Sequence, residues 1–128
     1  MAIYRIMQIN MTQKQVNELN HLRSKGMELP EWYEKREATL WRPSADAIRD
    51  AWDHYETVCY IKADDLDHVF EIGNLGPEDS IGRIGPMHSI SVGDVIVDTG
   101  DDEVWYVDSC GFGELGTTYN RQVPSYEI

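Results

Sequence analysis

Residues 88–112 hold the side chains best suited to chemistry. The candidate pocket residues are His88, Ser89, Ser91, Asp94, Asp108, Cys110 and Phe112. Imidazole, hydroxyl and carboxylate groups that converge could bind a small ligand or an amide of a partner. A thiol beside an imidazole could act as a nucleophile, with backbone amides near Gly111 stabilising an oxyanion. One hypothesis is therefore a small-ligand binder or a hydrolase that uses this pocket.

The segment HSISVGDVI also has the composition of a turn that leads into a strand. Ser89 or Ser91 can accept hydrogen bonds from backbone amides, and Gly93 permits a positive φ. Asp94 can cap the turn before the β-branched run begins. The turn is the favoured interpretation, and we expect any site to lie where this turn meets Asp108 and Cys110.

Acidic residues dominate the charge balance. The 128 residues include 23 aspartates and glutamates against 11 lysines and arginines, which gives a formal net charge of −12. Such a chain repels a phosphate backbone, and its basic residues are scattered, so we expect no direct nucleic-acid binding. The candidate acidic interaction surface consists of Asp46, Asp50, Asp53, Asp64, Asp65, Asp67 and Glu71.

These carboxylates have two interpretations. At helix starts they offset the helix dipole and remain solvated. If the helices that carry them face the same way, they would imitate an array of phosphates, as in an acidic DNA-mimic anti-restriction protein. Residues 64–71 lack the alternating ligands, glycine and closing glutamate of a calcium loop. We therefore expect no metal and no cofactor.

The apolar runs and the cysteines of the sequence indicate the cellular compartment. No apolar run approaches the roughly 20 residues that a spanning helix needs. Cys59 and Cys110 are far apart and form no C-x-x-C motif, so we expect reduced thiols rather than a disulfide or a zinc site. These features predict a cytoplasmic protein without membrane contact, and they leave the oligomeric state open.

Periodicity predicts the elements of the N-terminal half. Residues 2–10 alternate and are apolar on both faces, which predicts a central strand. Thr12 and Gln15 have the spacing of a capping box, and Gly26 suits the end of a helix over residues 12–25. A short helix is expected from Glu31, and Ser44 can cap a helix over residues 44–55.

The C-terminal half is predicted to be richer in strands. Residues 57–62 read as a strand, residues 64–72 as a short helix and residues 74–87 as a long loop. Residues 94–98 and 103–108 form a predicted hairpin with Gly100 at a positive φ, and residues 117–128 form a polar tail. We expect one α+β domain over residues 1–128, in which three or four helices cover a small, mainly antiparallel sheet.

Several motifs together resemble a known family. The segments LDHVFEIGN (66–74), SISVGDVI (89–96) and YVDSCGF (106–112), with the opening YRIMQIN, are similar to the YodL-like domain. The resemblance covers residues 3–115 and implies a small α+β protein carried by bacterial mobile elements and phages, without implying a reaction. Two departures are the longer loop before the serine block and Cys110 at a position expected to be aromatic.

The leading hypothesis is a non-enzymatic protein-interaction module. The resemblance implies that the partner is a host or mobile-element protein, with modulation of host or anti-phage factors as one outcome. An acidic face or an aromatic hot spot would carry the contact, with Trp32, Trp41 and Trp105 as candidates. The small-ligand pocket and the DNA mimic are the alternatives.

Overall fold

The computed structural model describes residues 2–116, and the predicted tail 117–128 lies outside them. The strands are β1 (Ala2–Gln8), β2 (Glu56–Ala63), β3 (Ile81–Arg83), β4 (Val95–Asp98), β5 (Val104–Val107) and β6 (Phe112–Gly116). The helices are α1 (Gln13–Ser24), α2 (Glu31–Trp41), α3 (Ala45–Asp50) and α4 (Leu66–Leu75). The strands form one antiparallel sheet in the order β3-β2-β1-β4-β5-β6. The predicted α+β class is confirmed.

β1 lies in the interior of the sheet, as its two apolar faces predict. It pairs with β2 on one side and with β4 on the other. Ile6 and Met7, whose side chains point to opposite faces, are 0% and 1% exposed. Burial on both faces explains why this strand lacks the alternation of apolar and polar residues that is typical of a half-exposed strand.

Helices cover both faces of the sheet. Val69 and Ile72 of α4 pack in one cluster with Ile6 and neighbouring strand residues. Ile48 of α3 packs in a second cluster with Met7 and its neighbours on the opposite face. The sheet is therefore the middle layer, and α3 and α4 lie on opposite sides of it. Within residues 2–116, no helix is both long and apolar enough to cross a bilayer.

The helix starts follow from their capping residues. The Thr12 hydroxyl accepts from the Gln15 N–H, and the Gln15 side chain accepts from the Thr12 N–H, which confirms the capping box. The Ser44 hydroxyl caps α3 as predicted. α2 begins at Glu31, also as predicted. These caps satisfy amide groups that the helix itself leaves unpaired.

The prediction of a long loop over residues 74–87 was wrong in part. α4 continues to Leu75, a short 3₁₀ turn covers Glu78–Ser80, and β3 then pairs with β2. α4 was predicted to end at Gly73, but a side chain there would overlap Ile90, since an added Cβ would lie 2.3 Å from its Cδ1. A glycine inside the helix is thus required by packing.

Three further details differ from prediction. The helix expected over residues 44–55 is broken into α3 and a 3₁₀ turn at Trp52–His54. β6 was not predicted, because Gly113 reads as a turn residue; it lies instead under the Tyr106 ring, where no side chain fits. In the β4–β5 hairpin the residue with positive φ is Asp102, at 62°, and not Gly100.

The Ser91–Asp94 turn is the point where α2 meets the sheet. Gly93 has a φ of 91°, as its position in the turn predicts. A Cβ on Gly93 would lie 2.6 Å from the backbone oxygen of Thr39 in α2. The Tyr55 hydroxyl donates to the Gly93 oxygen, and the Gly93 N–H donates to the Val107 oxygen at 2.8 Å. This glycine allows the helix to rest directly on the turn.

We predict that Gly93→Ala destabilises the fold by about 2–4 kcal/mol, because it combines a strained backbone with a clash against Thr39. Gly85→Ala is the matched control, since a Cβ there meets no atom within 4 Å. The control should change stability by less than about 0.5 kcal/mol. Urea denaturation followed by circular dichroism measures both values. Equal stability of the two variants would contradict the contact between α2 and the turn.

Candidate functional site

The candidate site forms where β1 ends and β4 begins. Gln8 and Asp94 lie on the same face of these paired strands and are 0% and 4% exposed. The Gln8 side-chain amide donates to Asp94 Oδ2 at 2.9 Å. The Ser91 N–H donates to the same oxygen, also at 2.9 Å, while Asp94 N–H donates back to the Ser91 oxygen at 3.1 Å. Asp94 therefore caps the turn, as predicted.

Gln8 also connects the His88 backbone to this turn. Its Nε2 donates to the His88 oxygen at 2.9 Å, and its Oε1 accepts from the His88 N–H at 3.2 Å. The imidazole Nδ1 of His88 lies 4.0 Å from Asp94 Oδ2. Gln8 was not among the residues predicted for the pocket. The signal was present, because Tyr4, Ile6 and Gln8 share one strand face and only Gln8 is polar.

Burial dominates the electrostatics of Asp94. Loss of hydration raises the pKa of this carboxyl from its ordinary 3.8 to about 6, despite the opposing effects of the Ser91 N–H, His88, Gln8 and Arg36. An ionised carboxylate in this position is costly even with two hydrogen bonds. Asp94 can therefore exchange a proton near neutral pH.

A half-open cleft of about 180 Å3 borders this network. One wall is α2, which contributes Arg36, Thr39 and Leu40. The other wall comes from Ile9 and from residues of the serine turn, namely His88, Ser91, Val92, Gly93 and Asp94. The cleft thus combines a buried carboxylate, an imidazole and a guanidinium with an apolar wall. Such a mixture is typical of a site for a small polar ligand.

The structure separates the remaining pocket candidates from this cleft. Asp108 and Phe112 line a different cleft beside α4, together with Phe70. Ser89 lines a third, between the end of α4 and β3. Of the predicted pocket, His88, Ser91 and Asp94 are therefore brought together in one cleft, and the others lie elsewhere.

Neither cysteine is arranged for nucleophilic chemistry with His88. Cys110 is exposed, its N–H donates to Asp108 Oδ1 at 2.8 Å, and its sulfur lies 3.8 Å from the Ser109 hydroxyl. Burial raises the pKa of the Cys59 thiol to about 12, which keeps it protonated. His88 Nδ1 contacts the Ser89 oxygen at 2.7 Å. Within residues 2–116, no hydrogen bond joins His88 to a thiol.

The acidic candidates are distributed over both sides of the sheet. Asp46 and Asp50 lie on α3, and Asp53 follows in the 3₁₀ turn. Asp64, Asp65, Asp67 and Glu71 lie at and within α4, on the opposite side. Several have local roles: Asp65 caps α4, and Asp46 pairs with Arg49 at 3.0 Å. Across the described part of the chain, no three metal-ligating side chains are grouped to hold an ion.

Fold and site together define a small α+β protein in which a buried, capped carboxylate borders a surface cleft. Comparison with models of known protein families, with curated protein sequences and with solved structures gives no match.

Replacing Asp94 with Asn tests the cost of its buried charge. The Asn oxygen can still accept from Gln8 and Ser91, but the side chain stays neutral. Because folding raises the pKa of Asp94, the contribution of this carboxyl to stability is lost as the pH rises from about 4 to about 6, whereas Asn has no such dependence. We expect Asp94→Asn to be more stable by about 1–3 kcal/mol at about pH 8 and nearly equal at about pH 4.

Urea denaturation at the two pH values measures this difference. Asp46→Asn is the control, because its side chain is 89% exposed and its ion pair with Arg49 is at the surface. It should change stability by less than about 1 kcal/mol at either pH. If Asp94→Asn is less stable than the wild type at high pH, the negative charge of Asp94 stabilises the turn and the prediction is wrong.

Proposed function

We propose that the chain is a non-enzymatic protein-interaction module that binds its partner through the C-terminal half of α2. The observation that carries the proposal is Trp41, which is 78% exposed. Its indole Nε1 donates to Glu37 Oε2 at 2.6 Å, one helical turn away. An exposed tryptophan that is already held in position loses little conformational entropy on binding and offers a large contact area.

The other two tryptophan candidates are less available. Trp32 and Trp105 are half-buried, and Trp32 packs edge-on against Tyr33 with ring centroids 6.0 Å apart. Trp41 is therefore the favoured anchor of the predicted aromatic hot spot. Trp41 follows Leu40, which lines the cleft, but one residue along an α-helix turns the side chain by about 100°, so Trp41 faces away from the cleft.

The charge of the surroundings favours a basic partner. Glu31, Glu34 and Asp50 line a shallow groove between α2 and α3, in which Lys35 is the cation. The net charge of −12 adds a long-range attraction for basic proteins, which raises association rates at low salt. We expect binding that weakens as salt is added.

The resemblance to the YodL-like domain supports a bacterial host. The partner is then a host or mobile-element protein in the cytoplasm, and modulation of host or anti-phage factors is one outcome. Unpaired cysteines at positions 59 and 110 suit a reducing compartment. We do not propose a DNA mimic, since α3 and α4 present their carboxylates on opposite sides of the sheet.

Capture from bacterial lysate with three immobilised proteins tests the proposal. We expect the wild type to retain a specific protein at low salt. Trp41→Ala should retain at most about one tenth of that amount, since tryptophan anchors commonly carry much of the binding energy. Leu75→Ala is the matched control, because Leu75 is 84% exposed but lies at the end of α4. Quantitative mass spectrometry measures retention, and circular dichroism verifies folding.

Two results would refute this role for α2. One is that the wild type retains no protein above background at low salt. The other is that Trp41→Ala retains as much of the captured protein as the wild type does, or that Leu75→Ala causes the greater loss.

A further inference from the structure

The cleft beside α2 has room for a small organic molecule. Its volume is about 180 Å3, and a cavity of about 150 Å3 is enough to hold benzene. Ile9, Leu40 and Val92 supply apolar surface, while Asp94 and Arg36 supply opposite charges. A ligand that fills the cleft must therefore accommodate both charges.

Asp94 has unused capacity to accept hydrogen bonds. Its Oδ2 receives the donors from Gln8 and Ser91, whereas its Oδ1 receives none from residues 2–116. Asp94 is only 4% exposed as a residue, but Oδ1 is not one of its fully buried atoms, so a group in the cleft can reach it. An ammonium group, which has three donors and a positive charge, is a suitable partner for such an oxygen.

Arg36 has unused capacity to donate. Its guanidinium contacts the adjacent Glu37 at 3.4 Å, a long ion pair. Its Nε is buried and has no hydrogen-bond partner within residues 2–116, so a ligand would meet the terminal nitrogens of the guanidinium. Arg36 is close enough to Asp94 to lower its pKa, yet the two side chains form no ion pair. The fork of donors on a guanidinium matches a carboxylate.

The two charges together select the class of ligand. A simple anion attracted by Arg36 would meet Asp94, and a simple cation attracted by Asp94 would meet Arg36. A small zwitterion satisfies both. We propose that this cleft binds a free α-amino acid, with its ammonium at Asp94, its carboxylate at Arg36 and its side chain against Ile9, Leu40 and Val92.

This proposal does not require the protein partner and is tested on the purified chain. Each of the common amino acids is titrated at millimolar concentration, with affinity measured by calorimetry and location by amide chemical shifts. We expect at least one to bind, with shifts centred on Ser91, Gly93 and Thr39. The amide of that amino acid, which lacks the carboxylate, and its N-acetyl derivative, which lacks the ammonium, should each bind at least tenfold more weakly.

Three variants assign the contacts. Arg36→Gln and Asp94→Asn should each weaken binding at least tenfold. Lys35→Gln should leave it unchanged, because Lys35 is on the same helix but outside the cleft, where it pairs with Glu31 at 3.4 Å. Thermal unfolding verifies that each variant is folded. If the Asp94 variant does not fold, the Arg36 variant alone tests the proposal. The proposal is overturned if no amino acid binds the wild type, if the two derivatives bind as well as the parent, or if Arg36→Gln keeps full affinity.

Discussion

The side-chain amide of Gln8 is the interaction on which the site depends. It is fully buried at the end of an interior strand and satisfies the His88 backbone and the Asp94 carboxylate at once. A buried amide without partners is unfavourable by a few kcal/mol, so the network is stable only when all its members are in place. The positions of the serine turn and of the strand that follows are thereby tied to the first strand of the sheet.

The Ser91–Asp94 turn, which Gln8 holds, determines the position of α2. Gly93 leaves no side chain between the turn and Thr39, and the Tyr55 hydroxyl holds the Gly93 carbonyl from the segment before β2. The helix that carries Arg36 and Trp41 therefore packs directly on the backbone of the turn and not on a flexible side chain. A contact of this kind permits little adjustment, because close-packed backbone has no alternative rotamers. The cleft and the exposed tryptophan consequently share one rigid support.

Local signals made part of this arrangement predictable. The capping box at Thr12, the apolar run of β1 and the Ser91–Asp94 turn are each specified within a few residues, and the structure has them as predicted. β3 and β6 were missed because they are short and contain Gly82 and Gly113, and the role of Gly113 depends on the distant side chain of Tyr106. The position of Arg36 in the cleft could not be predicted either, since only tertiary packing brings α2 to the turn. The antiparallel pairing of the predicted hairpin likewise suggested that Asp108 and Cys110 join His88, but neither residue lines the cleft of His88, and Asp108 lines another.

The sheet order has a consequence for the time course of folding. β1 is synthesised before the other described strands, yet its neighbours are β2 and β4, and Gln8 meets Asp94 across 86 positions of sequence. Contacts of such long range must close large loops before they contribute stability, which slows folding. During synthesis, β1 and its apolar faces remain without one neighbour until β4 has emerged from the ribosome. The nascent chain therefore passes through a period in which the future centre of the sheet is an exposed edge.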